Sequence, residues 1–308
     1  MQHYRSIDAV SLKKSWLTIG VFDGVHRGHR EIIRRLIAGA QTDGAPAVVL
    51  TFDPHPAVVL GGADVKCLTT ADERAGLLAD LGVDAVVTHR FDRTVAGLSA
   101  AEFMTRLKAH LGLEHLLVGY DFALGKGREG NPARLAELGL EMGYLVEVVP
   151  AVSDESGVIS STEIRKLVAV GSVAEAARLL GHPYTLSGPV IHGDGRGRAI
   201  GIPTANIDYP REKVIPARGI YACWARLGEQ VHAAMVNIGI NPTFTPERQT
   251  ASVEAHLLDL QDRDLYGLDL RLEFVERLRD EIRFDSVEAL VGQIRADIVR
   301  GREILIAR

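Results

Sequence analysis

The hydrophobic pattern of this chain changes period once, and that change limits the folds open to it. Before about Gly181–Pro183, apolar residues come in short continuous runs: Trp16–Val21, Ala45–Phe52, Val83–Thr88, His115–Gly119 and Tyr144–Val149. Strands covered on both faces read this way. Between them lie segments of helical spacing, such as "ADERAGLLADLG" and "SAAEFMTRLKAHLG". Alternating strand and helix predicts an α/β, doubly wound, mostly parallel sheet, which binds ligands beyond the carboxyl ends of its strands. After the change, "IYACWARLG", "QVHAAMVNI", "SVEAHLLDL" and "LDLRLEFVERL" alternate polar and apolar residues, separated by turns rich in Gly, Pro, Asn and Asp. That predicts an antiparallel barrel or sandwich. A closing helix is expected from about Ser286, with Val287, Leu290, Val291, Ile294 and Ile298 forming a core-facing stripe. The expected organisation is two domains, 1–181 and 182–308, and a chain of 308 residues is long enough for each to bury its own core.

Bulk properties remove several classes. A formal net charge of −5 argues against a dedicated nucleic-acid binder. No apolar run approaches the roughly 18 residues a membrane span needs, so no membrane partner is expected. The start, "MQHYRSIDAV", lacks the basic-then-apolar order of a signal peptide. Cys67 and Cys223 are the only cysteines and lie far apart, which gives no disulfide framework and fits a reducing cytoplasm. Oligomeric state stays open, a homo-oligomer included.

"VFDGVHRGHR", residues 21–30, follows the first apolar run and opens a helical segment, Glu31–Ala38. A zinc site would explain His26 and His29, but no third or fourth ligand stands at a familiar spacing. Two core histidines are a second alternative, although the surrounding Asp, Arg and glycines suit a core poorly. Phosphate chemistry fits better. Backbone N–H groups at a helix start favour anions, and Gly28 would let a phosphate approach the backbone. Two imidazoles could donate hydrogen bonds to phosphoryl oxygens during displacement.

"HRGH" resembles the HxGH signature of the nucleotidylyltransferase superfamily, and "ISSTEIRKLV", residues 159–168, resembles its SSTxIR motif. The Ser-Ser-Thr would cap a helix whose early turns carry Arg165, a receptor for outgoing pyrophosphate. "TFDPHP" (51–56) and "VGYDFALGKGREG" (118–130) look like segments of bacterial FMN adenylyltransferase, with Ala123 and Leu124 where Arg and Phe are common. The resemblance implies catalytic roles for His26, His29 and Arg165. It implies nucleotide or flavin contacts at Gly20, Phe22, Asp23, Gly24, Gly28, Phe52, His55, Asp121, Ser160, Ser161 and Thr162. His55 has a bland alternative, a rigid turn between Pro54 and Pro56.

In the second half, "GDGRGRAIGIPTANI" (193–207) resembles the GxxRGRxLGxPTANI motif of riboflavin kinase, with Ile202 in place of the commoner Phe. "ARGIYACWA", "VNIGINPTF", "VEAHLLDL" and "LYGLDLRLEFVERLRDEIRF" continue the likeness. Almost the whole chain therefore resembles the bacterial bifunctional riboflavin kinase/FMN adenylyltransferase (FAD synthetase) family. That implies a nucleotidylyltransferase domain followed by a β-barrel kinase domain with a C-terminal helix. It implies ATP as co-substrate, riboflavin and FMN as small-molecule partners, FMN and FAD as products, and Mg2+. Glu254 matches the family's catalytic glutamate, the base an alcohol nucleophile needs. Thr204 and Asn206 match its Mg–ATP ligands, hard oxygen donors that suit Mg2+. Gly193, Arg196, Gly197, Gly201 and Pro203 would lie around the nucleotide.

Three rivals stand beside this reading: a single-activity adenylyltransferase with an appended flavin-binding domain, an RNA-binding relative of aminoacyl-tRNA synthetases, and a flavin-binding module without catalysis. The kinase motif opposes the first. The acidic balance and the lack of a KMSKS-like stretch oppose the second, and intact His26, His29, Thr204, Asn206 and Glu254 oppose the third. Gly125, Gly127 and Gly130 also spell GxGxxG, but "YDFAL" separates them from the preceding strand, against the dinucleotide fingerprint.

Overall fold

The computed structural model describes residues 1–61, 65–155, 157–193, 195, 197, 200–240, 251–260 and 264–307. The chain forms two compact units, Met1–Ser161 and Thr162–Arg308. The sequence expectation of a break at 181/182 follows the change of hydrophobic period. The contact division comes earlier, and the helix Val173–Leu180, which lies between the two positions, packs with the barrel.

In the first unit the elements are β1 (Gln2–Tyr4), β2 (Ser15–Ile19), α1 (Arg27–Asp43), β3 (Ala47–Asp53), α2 (Pro56–Gly61), α3 (Ala71–Asp80), β4 (Ala85–Arg90), α4 (Arg93–Gly97), α5 (Ala100–Leu111), β5 (Leu113–Gly119), α6 (Pro132–Met142), β6 (Leu145–Val149) and a small ribbon of β7 (Ser153–Asp154) and β8 (Gly157–Val158). The main sheet has the order β1-β4-β3-β2-β5-β6. Its ladders are parallel throughout. The order reverses between β2 and β5, the place where such sheets open a ligand crevice. Both faces are covered, as continuous apolar strands require. Leu17, Val48, Leu50 and Leu116 pack with Phe103, Met104 and Leu107 of α5 on one face. Val49, Val86 and Leu117 pack with Ile33 and Leu36 of α1 and Leu78 of α3 on the other. The edge strand β1 was not legible in the sequence. It is three residues long and pairs only with β4, so it carries no periodic signal of its own.

The second unit contains α7 (from Ser161 to Ala169, its first residue at the division), α8 (Val173–Leu180), β9 (Tyr184–Ile191), β10 (Ala205–Ile207), β11 (Gly219–Leu227), β12 (Gln230–Ile240), β13 (Ala251–Leu257), β14 (Asp269–Arg279) and α9 (Val287–Ile306). The six strands close a barrel in the order β10-β13-β12-β11-β14-β9. Closure removes the sheet edges and decides the barrel-or-sandwich question. Helix α8 packs on β14. It buries Val173, Ala176, Leu179 and Leu180. Just before it, Gly171 takes φ +83° and passes so close to the barrel that a Cβ there would lie 2.7 Å from the Tyr221 hydroxyl.

Helix α9 begins after Ser286, whose side chain accepts the Ala289 N–H. The expected stripe needs a correction: Val287 is 55% exposed, and the buried positions are Asp297, Gly301 and Leu305. The helix meets the barrel through its later turns. There Arg279 donates to both Asp297 carboxylate oxygens, from Nε at 3.0 Å to each. Gly301 faces Met235 where any Cβ would clash. Hydrophobic periodicity cannot register an anchor made of an aspartate and a glycine.

Candidate active sites

The first site starts where β2 ends. Asp23–Val25 form a single 3₁₀ turn, and α1 follows with His26 as its N-cap, the ring Nδ1 accepting the His29 N–H at 3.4 Å. Phe22 and Val25 both hold left-handed φ, +51° and +41°. Such strain on non-glycine residues persists only where the surroundings over-determine it. Asp23 supplies much of that constraint. Its carboxylate is buried and accepts the Leu68 N–H (2.9 Å), the Thr69 N–H (3.0 Å) and the Thr69 hydroxyl (3.3 Å). The Gly24 N–H donates to the same hydroxyl at 3.0 Å. Gly28 has a local reason to be glycine besides phosphate access: a Cβ there would sit 3.1 Å from His26 Cε1.

The two imidazoles stack, with ring centroids 3.6 Å apart and planes at 21°. Phe22 meets His29 edge-on at 5.1 Å. Burial pushes His26 down to about 4, with Asp23 partly opposing. His29 lies well below its ordinary value through burial first, then the neighbouring His26 and Arg74. Its Nδ1 is buried without a hydrogen-bond partner among the described residues. At neutral pH both rings are therefore neutral. They can offer hydrogen bonds to a phosphoryl group but no resting charge.

A cleft of about 770 Å³ opens beside this turn, at the carboxyl ends of β2, β3 and β5. It gathers Gly20, Phe22, His29, Phe52, His55 and Asp121 from the sequence set. His26, Asp23, Gly24 and Gly28 are not among its lining residues. Phe52 stands against Phe91 and Phe103, centroids 5.3 and 6.3 Å away, which makes this wall aromatic. His55 lines the cleft and also accepts the Ala57 N–H at 3.1 Å, so it serves both the turn and the wall. Arg128 lines the cleft too and was missed by sequence reasoning. The only signal for it was a cation among glycines, in a segment where Gly125, Gly127 and Arg128 all take left-handed φ. No strand runs directly into those glycines, consistent with rejecting the dinucleotide fingerprint.

The second signature lies partly against the first. Helix α7 opens at Ser161, right after Ser160, and the Ser161 hydroxyl donates to the Asp23 carbonyl at 2.9 Å. Thr162 and Arg165 fall in the second unit, Arg165 half-buried in α7.

On the barrel, register assembles the site. Asn206 of β10 stands directly opposite Glu254 of β13, and Asn237 of β12 stands opposite Glu254 on the other side. Their flanking residues Ala205, Ile207, Val253, Ala255, Val236 and Ile238 are buried, so the three polar side chains share the other face of the wall. Gly193 touches this row: a Cβ there would lie 2.2 Å from Asn206 Nδ2. Gly197 approaches Thr204, whose Oγ1 would be 3.4 Å from its Cβ. Pro203 fixes the approach through its carbonyl, which accepts the His256 Nδ1–H at 2.8 Å. Gly201 takes φ +75°. Arg196 lies outside the described residues. Asn237 was missed in the sequence, since nothing local marks it. Its Oδ1 is buried and has no hydrogen-bond partner among the described residues. Carboxamide and carboxylate oxygens in one row, with the Thr204 hydroxyl two residues before Asn206, are hard donors of the kind that suit Mg2+. Among the described residues no group of three or more His, Cys, Asp or Glu could hold a metal ion.

Comparison with known proteins also divides the chain in two. A FAD synthetase family model matches residues 8–163, and a riboflavin kinase model matches residues 180–305. The bifunctional riboflavin kinase/FMN adenylyltransferase of Listeria monocytogenes is 39% identical over 91% of this chain and 89% of its own length. The Escherichia coli K12 protein of the same name is 40% identical over 93% of this chain and 91% of its own. Among solved structures, a Streptococcus pneumoniae chain described as a macrolide-efflux protein superposes with TM-score 0.89 at 33% identity, covering 97% of this chain and 98% of that one. Among the described residues of the present chain, no helix is long and apolar enough to cross a membrane.

Proposed function

Because this chain belongs to the bifunctional riboflavin kinase/FMN adenylyltransferase family, we propose that it phosphorylates riboflavin to FMN and then adenylylates FMN to FAD, in the cytoplasm. The observation that carries the reading is that each unit gathers its own motif set: His29, Phe52, His55 and Asp121 around one cleft, and Asn206 against Glu254 on the barrel.

In the kinase step Glu254 takes the proton of riboflavin's primary hydroxyl, whose oxygen attacks the γ-phosphorus of ATP as ADP leaves. Thr204 and Asn206 would hold Mg2+, which when bound offsets phosphate charge. Gly193, Gly197 and Gly201 supply a backbone that can approach the nucleotide closely.

The adenylyl step needs no protein base. A phosphate oxygen of FMN is already ionised, and it attacks the α-phosphorus of ATP as pyrophosphate leaves. His26 and His29 act as neutral donors to the transferring group, and Arg165 receives the departing pyrophosphate. The aromatic wall at Phe52 and the carboxylate of Asp121 hold the flavin. Incubation with riboflavin, Mg2+ and ATP, followed by chromatography, should yield FMN and then FAD. Formation of neither sinks the reading.

A further inference from the structure

Helix α3 buries a cation that the reaction scheme above does not use. Arg74 is 4% exposed. Its Nη2 donates to the Phe52 carbonyl at 3.0 Å, and its Nε is buried without a hydrogen-bond partner among the described residues. Taking a guanidinium out of water for one side-chain hydrogen bond among the described residues, to a carbonyl, is a poor use of a core position if stability is the only criterion. Burial lowers its proton affinity, with the carboxylates of Asp23 and Asp53 opposing. Phe52, whose carbonyl it holds, lines the cleft.

The same end of α3, its capped start, is fastened to the histidine turn. Thr70 and Glu73 form a reciprocal cap, the Glu73 N–H donating to the Thr70 hydroxyl at 3.2 Å and the Thr70 N–H to the Glu73 carboxylate at 2.8 Å. The two residues before that cap, Leu68 and Thr69, are those whose N–H groups Asp23 accepts. Hydrogen bonds at each end and the short stretch of backbone from Leu68 to Arg74 thus link the cleft wall to Asp23. The Arg74 charge also reaches His29, where it helps keep the ring neutral.

We propose that Arg74 and Asp23 are positioning residues for adenylyl transfer: with the capped start of α3 they form a brace that fixes the Phe52 wall of the flavin cleft relative to the turn carrying His26 and His29. The inference rests on the adenylyltransferase reading of this site. Asp23 then acts through the turn, its carboxylate facing inward, and touches neither nucleotide nor flavin.

The test is a double-mutant cycle in the full chain, read as FAD formation from FMN and Mg–ATP. Arg74→Met keeps bulk but removes the donors. It should lower kcat about 10²-fold, the scale of a misplacement of roughly 1 Å, and raise KM for FMN. Arg74→Lys keeps a charge and one donor and should recover about tenfold of that loss. In a His29→Ala background, Arg74→Met should cost less than about threefold, because the partner it positions is already gone. Equal losses in both backgrounds would mean a merely structural role and overturn the proposal, as would unchanged kinetics in Arg74→Met. If the Met variant does not fold, Arg74→Lys run through the same cycle decides by the same criterion. A wild-type protein that makes no FAD from FMN overturns the reading of the site, and the brace with it.

Discussion

The first unit builds its site where regular structure stops, whereas the barrel builds its site inside regular structure. His26 and His29 sit on a turn with two left-handed non-glycine residues, held by a buried aspartate. Asn206, Glu254 and Asn237 sit on ordinary antiparallel strands, brought side by side by register. The turn concentrates its chemistry within four residues of sequence but depends on distant supports such as Leu68, Thr69 and Arg74. The barrel scatters its chemistry along the chain, yet each residue needs only the ladder that any closed barrel provides. A turn of this kind should fail when its supports are altered. The barrel row should fail only when its own members are.

The largest expected effects separate the two sites by activity. Glu254→Gln keeps size and removes the proposed base, so FMN formation should fall by roughly 10²–10⁴, while FAD formation from supplied FMN continues. His29→Ala removes a donor to the transferring phosphoryl group, so FAD formation should fall by about 10²–10³ and FMN formation should persist. Chromatography of both products in both variants gives the crossed pattern. A His29→Ala protein that stays folded but loses both activities would mean that the sites are not independent. Normal riboflavin phosphorylation by Glu254→Gln would remove Glu254 from its role.

Next in size is an effect on the barrel's own boundary. The change of hydrophobic period suggests a kinase fragment starting at His182. The contacts add α8, whose Val173, Leu179 and Leu180 are at most 2% exposed. Burying a side chain of that size contributes roughly 1.5–3 kcal/mol. Three such side chains sum to roughly 4.5–9 kcal/mol, part of which the ordering of the helix offsets. A fragment starting at Thr162 should therefore be about 3–5 kcal/mol more stable than one starting at His182. Urea titration followed by Trp224 fluorescence measures the gap. Both should phosphorylate riboflavin under conditions where they are folded. Coincident midpoints would show that α8 is dispensable and that the period alone marks the domain edge.

These contrasts explain what the sequence discloses. The parallel sheet was legible because its strands are buried on both faces, and the barrel because its strands alternate. The histidine turn was legible because its residues are contiguous and resemble a known signature. Asn237 was not, since only pairing with Glu254 gives it meaning, and pairing is not written in a local pattern. Arg74 reads as an ordinary helical cation in "ADERAGLL" until the fold buries it against Phe52. The family resemblance implies a ligand contact at Asp23. Its side chain turns the other way, toward Leu68 and Thr69, and adjacency in sequence cannot reveal that direction.

The smallest effect tests whether the turn's histidines are neutral, and it bears on the first unit alone. An unfolded histidine titrates near its ordinary value of about 6.5. In the folded turn, burial holds His26 down to about 4. Between those values the unfolded chain binds a proton that the folded chain does not, so acidification favours unfolding. The contribution of neutral burial is fully present above about pH 6.5 and is lost as pH falls toward 4. At about 1.4 kcal/mol per pH unit, moving from pH 7 to pH 5 should remove about 2 kcal/mol through His26. Trp16 lies in the first unit and the other tryptophan, Trp224, in the second, so a Trp224→Phe protein reports the first unit by fluorescence. Unfolding free energies from urea titration at the two pH values should differ by at least that amount, since His29, also held below its ordinary value, adds in the same direction. His26→Asn should narrow that separation. An unchanged separation in His26→Asn would mean that His26 already carries its proton in the folded turn. The neutral-donor account of that ring would then fail.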